Sequence, residues 1–139
     1  MKKKLLWFVC VVLIIIGGIG IYQSFQPSKQ NENVLNKDNL LRIKIEGIDE
    51  TLLDEYIDLN KETSVLDVLK NIANENHIDI QISGNESFQY VTQIGEYKEK
   101  MQGGYSGWMY KVNNEEPTVS ADQYHVNNGD YVLWYYTHE

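Results

Sequence analysis

The sequence predicts an α+β domain: a small mixed sheet, β-grasp-like, with one helix packed across it, preceded by an apolar N-terminal segment. Three observations carry this. Short alternating apolar runs recur through residues 40–139, a single stripe of helical period interrupts them, and the terminal run is apolar on both of its faces.

Leu41, Ile43 and Ile45 alternate with Arg42, Lys44 and Glu46, the period of a half-buried strand. Gly47-Ile48-Asp49-Glu50 turns the chain, and Leu52–Leu59 supplies a second strand. Thr63-Ser64 is a helix start, with Asp67 three residues beyond Ser64 at capping-box spacing. Val65, Leu66, Leu69, Ile72 and Ala73 then form one apolar stripe, predicting a helix over Val65–Asn74 that ends at Asn74–His77. Ile78, Ile80 and Ile82 alternate with Asp79 and Gln81 in a third strand. Ser83-Gly84-Asn85 reads as a turn, and Phe88–Ile94 as the next strand. Gly107–Val112 is a strand followed by the turn signal Asn113-Asn114. Asn127-Asn128-Gly129-Asp130 is a stronger turn, in which an Asp130 carboxylate is placed to bond nearby backbone N–H groups. The last strand, Tyr131–Thr137, presents Tyr131/Leu133/Tyr135 on one face and Val132/Trp134/Tyr136 on the other. Two apolar faces predict a central strand covered on both sides.

The chain has 139 residues, enough for one ordinary domain. Leu5–Tyr22 carries no charge and follows Lys2-Lys3-Lys4. As a helix these 18 residues would rise about 27 Å, close to the ~30 Å hydrocarbon core. Residues 1–22 therefore read as a signal anchor, with Met1 kept in the cytoplasm and the body outside it. Cleavage after Gly18-Ile19-Gly20 would instead release a secreted form. Lipidation at Cys10 is a third reading, opposed by the bulky Phe8 and Val9 before it. Polar residues 23–39 read as a flexible tether. Beyond residue 22 stand 20 acidic and 9 basic side chains, a net charge of −11. That balance argues against nucleic-acid binding, which depends on Lys and Arg neutralising phosphates. The sole cysteine, Cys10, leaves the outer body without a thiol.

The chemistry-bearing residues are sparse. His77, His125 and His138 share no metal-ligand spacing, and Asp49-Glu50 with Asp54-Glu55 lack the spacing of a calcium loop, so they read as a solvated acidic face. Ser120, Asp122 and His125 contain triad residue types, but Val119-Ser120-Ala121 is not a nucleophile elbow. The sequence predicts no catalysis and no resident cofactor or metal. Aromatics instead cluster late: residues 97–139 hold seven of ten tyrosines, with Trp108 and Trp134. With one helix covering one face of the sheet, the other face would show Tyr and Trp to solvent, as binding surfaces do. Trp134, Tyr136, Tyr110 and Val112 read as core, whereas Trp108, Tyr105 and Tyr124 stand near loops and are placed for contact.

Gly107-Trp108-Met109-Tyr110-Lys111-Val112-Asn113, Ser120-Ala121-Asp122-Gln123-Tyr124 and Gly129-Asp130-Tyr131-Val132-Leu133-Trp134-Tyr135-Tyr136-Thr137 resemble the transcobalamin-like C-terminal domain family. The resemblance extends upstream through Thr63–Leu69 and Tyr90–Gly95, and so covers most of residues 40–139. It implies a β-grasp-like fold, and a corrinoid such as cobalamin as ligand. It also places contacts on the loop Gln102–Gly107 with Trp108 and on the segment Val119–Tyr124, hence Tyr105, Ser106, Trp108, Ala121 and Tyr124. Asn114 and Ser120 stand where family members commonly or often have glycine. In transcobalamin and intrinsic factor this domain closes over cobalamin held against a helical domain. The helical domain has no counterpart here, so the resemblance implies a surface partner, a second copy or another ligand. The expectation is a membrane-tethered extracellular binding module; the alternative is a structural or protein–protein interaction module of a cell-surface complex.

Overall fold

The computed structural model describes residues 36–138; the predicted anchor and most of the tether lie outside the described residues. Among the described residues no helix is long and apolar enough to cross a membrane. After a single 3₁₀ turn, Lys37–Asn39, strand β1 runs Leu41–Glu46 and returns antiparallel as β2, Thr51–Ile57. The two-residue β3, Thr63–Ser64, leads into helix α1, Val65–Glu75. Strands β4 (Ile80–Asn85), β5 (Phe88–Ile94) and β6 (Tyr97–Lys98) form a second, antiparallel sheet. Strand β7 is Gly107–Val112, β8 is His125–Val126 and β9 is Tyr131–Thr137.

The main sheet has the order β2-β1-β9-β7. Its β1 and β9 run parallel, with Ile43 opposite Val132, while β7 runs antiparallel to β9, with Trp108 opposite Tyr136. Antiparallel outer pairs joined by a parallel central pair, together with helix α1, make the mixed α+β arrangement that the sequence predicts. Leu41, Ile43 and Ile45 are fully buried, as are Val65, Leu69 and Val132, so the alternating strand and the helix stripe meet in one core. Burying such a side chain stabilises the fold by roughly 1.5–3 kcal/mol.

The helix starts as the sequence predicts: Ser64 Oγ accepts from Asp67 N at 3.1 Å. The capping box is not completed, because Asp67 turns outward to Lys70 at 3.3 Å. The donors of the next two residues go to a distant segment instead: Val65 N bonds Tyr124 O and Leu66 N bonds Ala121 O, both at 2.9 Å. The C-terminus closes with Ile78 N on Ala73 O (2.8 Å) and His77 N on Asn74 O (3.3 Å), with His77 at φ 55°. This is a Schellman ending with histidine where glycine is commonest.

Two expectations are corrected. Ser83, Gly84 and Asn85 belong to β4, and the turn is Glu86-Ser87, with Ser87 N bonded to Asn85 Oδ1 at 2.9 Å. Gly84 sits at φ +115°, with the backbone of Phe88 where a Cβ would stand. Nor is β9 covered by packed elements on both faces. Val132, Trp134 and Tyr136 are buried, while Tyr131, Leu133 and Tyr135 are half-buried on the open face. That face is roofed by long side chains rather than by a helix. The Arg42 guanidinium stands 5.0 Å from the Tyr131 ring centre and grips Asp54 through two hydrogen bonds of 2.9 and 2.7 Å; Lys111 Nζ lies 4.9 Å from the Tyr135 ring centre. The tryptophans of this sheet therefore face the core, not solvent.

Candidate functional site: an aromatic groove between the two sheets

Strand β7 lies at one edge of the main sheet, and the second sheet's β5 stands beside it. Between them is an open groove of about 400 Å³. Its floor is Trp108, Tyr110 and Trp134, one wall is Phe88 and Tyr90 on β5, and the opposite wall is the loop Glu116–Ala121. The alternation of β7 sends Trp108 and Tyr110 to the core face, where register puts Tyr110 opposite Trp134.

The floor rests on two aromatic triads, Trp108 with Tyr97 and Tyr136, and Tyr110 with Tyr124 and Trp134. Trp108 packs edge-on against Tyr136 at 5.4 Å and Tyr97 at 6.2 Å between ring centres; Tyr110 packs against Trp134 at 5.5 Å and Tyr124 at 6.4 Å. Aromatic pairs in these geometries contribute about 0.5–1.5 kcal/mol beyond area burial. Trp108 Nε1 donates to Tyr97 O at 2.9 Å, which fixes that indole. The Tyr110 hydroxyl donates to Val119 O at 2.6 Å and ties the loop wall to the floor. Burial pushes the Tyr110 phenol up to about 12, so it remains a neutral donor at physiological pH. Trp134 differs: it is 2 % exposed and its Nε1 has no hydrogen-bond partner. The rim is apolar and wet, with Phe88, Tyr90, Met109 and Val119 each about half exposed.

The residues expected at a ligand site divide. Trp108 and Ala121 line this groove together. Tyr124 lies behind the floor against Tyr110, and its carbonyl, like that of Ala121, holds the helix start. Ser106 is buried: its Oγ donates to Gly103 O at 2.9 Å, accepts from Gln102 N at 3.0 Å and meets Tyr136 Oη at 3.2 Å, so it braces the loop before β7. Tyr105 projects into solvent, 91 % exposed, away from the groove lining. Phe88 and Tyr90 were missed by sequence reasoning. Their spacing of two puts them on one strand face, but only the packing of one sheet against the other brings that face to β7. Val112 is buried in the core, and Tyr110, half-buried, packs against that core and forms part of the groove floor.

No triad forms from Ser120, Asp122 and His125. The Ser120 hydroxyl bonds the Asp122 carboxylate directly, and His125 Nδ1 lies 3.2 Å from Gln123 O. Among the described residues no three His, Cys, Asp or Glu side chains gather as a metal site would need. The fold and groove thus define a small mixed α+β domain with an aromatic cleft at one sheet edge.

The chain belongs to the family described as Domain of unknown function (DUF4430), whose model matches residues 62–138. No curated protein matches it in sequence. The fold is similar to two solved structures. One is a candidate metal-binding protein from Ruminococcus gnavus ATCC 29149, at 20 % identity and TM-score 0.55, over 73 % of this chain and 98 % of that one. The other is haptocorrin in complex with Cbi, at 16 % identity and TM-score 0.58, over 71 % of this chain and 25 % of that one. The chain thus spans a quarter of haptocorrin's length, and at these identities the likeness is one of fold.

Proposed function

We propose that the chain is a non-catalytic binding module, held outside the membrane by its N-terminal segment, whose groove takes a largely flat, partly apolar ligand, a corrinoid such as cobalamin foremost. One observation carries the reading: the groove floor is an aromatic layer containing a buried indole N–H, Trp134 Nε1, with no acceptor. A buried donor without an acceptor is costly, so a ligand carbonyl would supply the missing bond while its apolar face lies on the rings. Support for the ligand class comes from the transcobalamin-like sequence resemblance and from the fold shared with haptocorrin, which was solved with Cbi. The non-catalytic reading rests on Ser120, whose hydroxyl is engaged by Asp122 rather than by a histidine.

A second reading is a protein-docking module of a surface complex. It draws on the exposed rim formed by Phe88, Tyr90, Met109 and Val119, since exposed apolar patches mark interfaces. Titrating the purified chain with cobalamin separates the two. A saturable shift of the corrin absorption bands, weakened in Trp134→Phe, is the expected outcome. No spectral change and no heat at submillimolar cobalamin would sink the corrinoid reading and leave the docking one.

A further inference from the structure

A second cleft, of about 710 Å³, lies away from the aromatic groove, where the helix C-terminus, the β1–β2 hairpin and the β5–β6 turn meet. Its lining joins apolar surface from Leu52, Ile78 and the Tyr97 ring to the side chain of Gln93. Gln93 is 9 % exposed. Its Nε2 donates to Gly95 O at 2.7 Å, which fixes the orientation of the amide. The other amide atom, Oε1, is buried and accepts from nothing. The rim carries three exposed carboxylates, Glu50, Asp79 and Glu96, against the ammonium of Lys98, with His77 beside them. Glu50 also accepts from the Tyr97 hydroxyl at 2.8 Å, so one carboxylate is held in place.

An orphaned acceptor asks for a donor, and an acidic rim asks for positive charge. A metal ion would need three or more of these groups to converge, and among the described residues none do. An ammonium meets both demands: one N–H bonds a neutral amide oxygen, while diffuse carboxylates supply the field. We propose that this cleft binds a primary ammonium group on a short apolar stem, either a free alkylamine or a lysine side chain, with Gln93 Oε1 as the acceptor and Leu52, Ile78 and Tyr97 around the stem.

Nuclear magnetic resonance on the full chain tests this with n-butylammonium, Nα-acetyl-lysine methylamide and n-butanol as probes. Saturable shifts of the Gln93 side-chain amide and of the Gly95 and Tyr97 backbone signals are expected with an ammonium probe at millimolar concentration, and none with butanol. Tighter binding of the lysine derivative assigns the source to a peptide; tighter binding of butylammonium assigns it to a small amine. Asp79→Asn combined with Glu96→Gln, both exposed positions, should weaken binding about tenfold with Tm unchanged. Absence of saturable shifts, equal shifts with butanol, or undiminished binding in the double variant at unchanged Tm would each overturn the proposal.

Discussion

At the scale of single residues, several side chains sit where their backbone or charge environment, not their chemistry, explains them. His77 is one of three histidines that invite a metal reading, yet it occupies the left-handed position that closes α1. An L-residue there carries a steric cost of about 1 kcal/mol that glycine avoids. His77→Gly is therefore expected to raise unfolding stability by up to about 1 kcal/mol in denaturant titrations. Asp54 makes the opposite point. Its bidentate bond to Arg42 holds its carboxyl below the ordinary value of 3.8. A carboxyl depressed in the folded state adds stability above its unfolded pKa and loses it as pH falls through the folded one. Asp54→Asn should thus lower Tm at neutral pH, with the difference shrinking as the pH falls below the ordinary carboxylate range and through the lowered folded-state value. Because both side chains are about a third exposed, the effect should also shrink in molar salt.

At the scale of elements, helix α1 is legible because its signals are local. Ser64, the apolar stripe and the break after Glu75 all lie within a dozen residues. Ser64→Ala is expected to cost about 1 kcal/mol, read as a lower midpoint in urea, since it orphans the Asp67 N–H. Strand β9 was half legible. Its central position followed from its two apolar faces, but a fully apolar look does not say what covers each face. The open face is closed by Arg42 and Lys111, residues polar at their tips and apolar along their stems. The turn between β4 and β5 was misplaced for a related reason. Gly84 is a turn signal in isolation, but here it serves close approach to the Phe88 backbone inside a hairpin.

At the scale of the whole molecule, the domain is a mixed four-stranded sheet with a second small sheet laid against its β7 edge, and the aromatic groove exists only because of that addition. The proposed tethering rests on the acidic body and the basic, apolar N-terminus of the sequence. Fractionation of cells should recover the chain with the membranes and release it with detergent but not with high salt; recovery in the medium, shortened after Gly20, would instead mark cleavage. The cobalamin titration and the ammonium titration address two separate clefts, so either result stands without the other.

The sequence by itself determined the six long strands among the described residues, the helix and its cap, the charge division between the two ends, and the late aromatic block, because these rest on short-range periodicity and on counts; the two-residue strands β3, β6 and β8 carry no such pattern. Only the tertiary structure decided which aromatics form the groove. The sequence points to Trp108 and Ala121, but Phe88, Tyr90 and Trp134 join them only through the packing of segments far apart in the chain. It also decided that Ser106 braces a loop and Tyr124 the helix start, and that Gln93 Oε1 and Trp134 Nε1 are left without partners. Whether a buried polar atom is satisfied depends on what distant segments bring to it, and no local pattern in the chain encodes that.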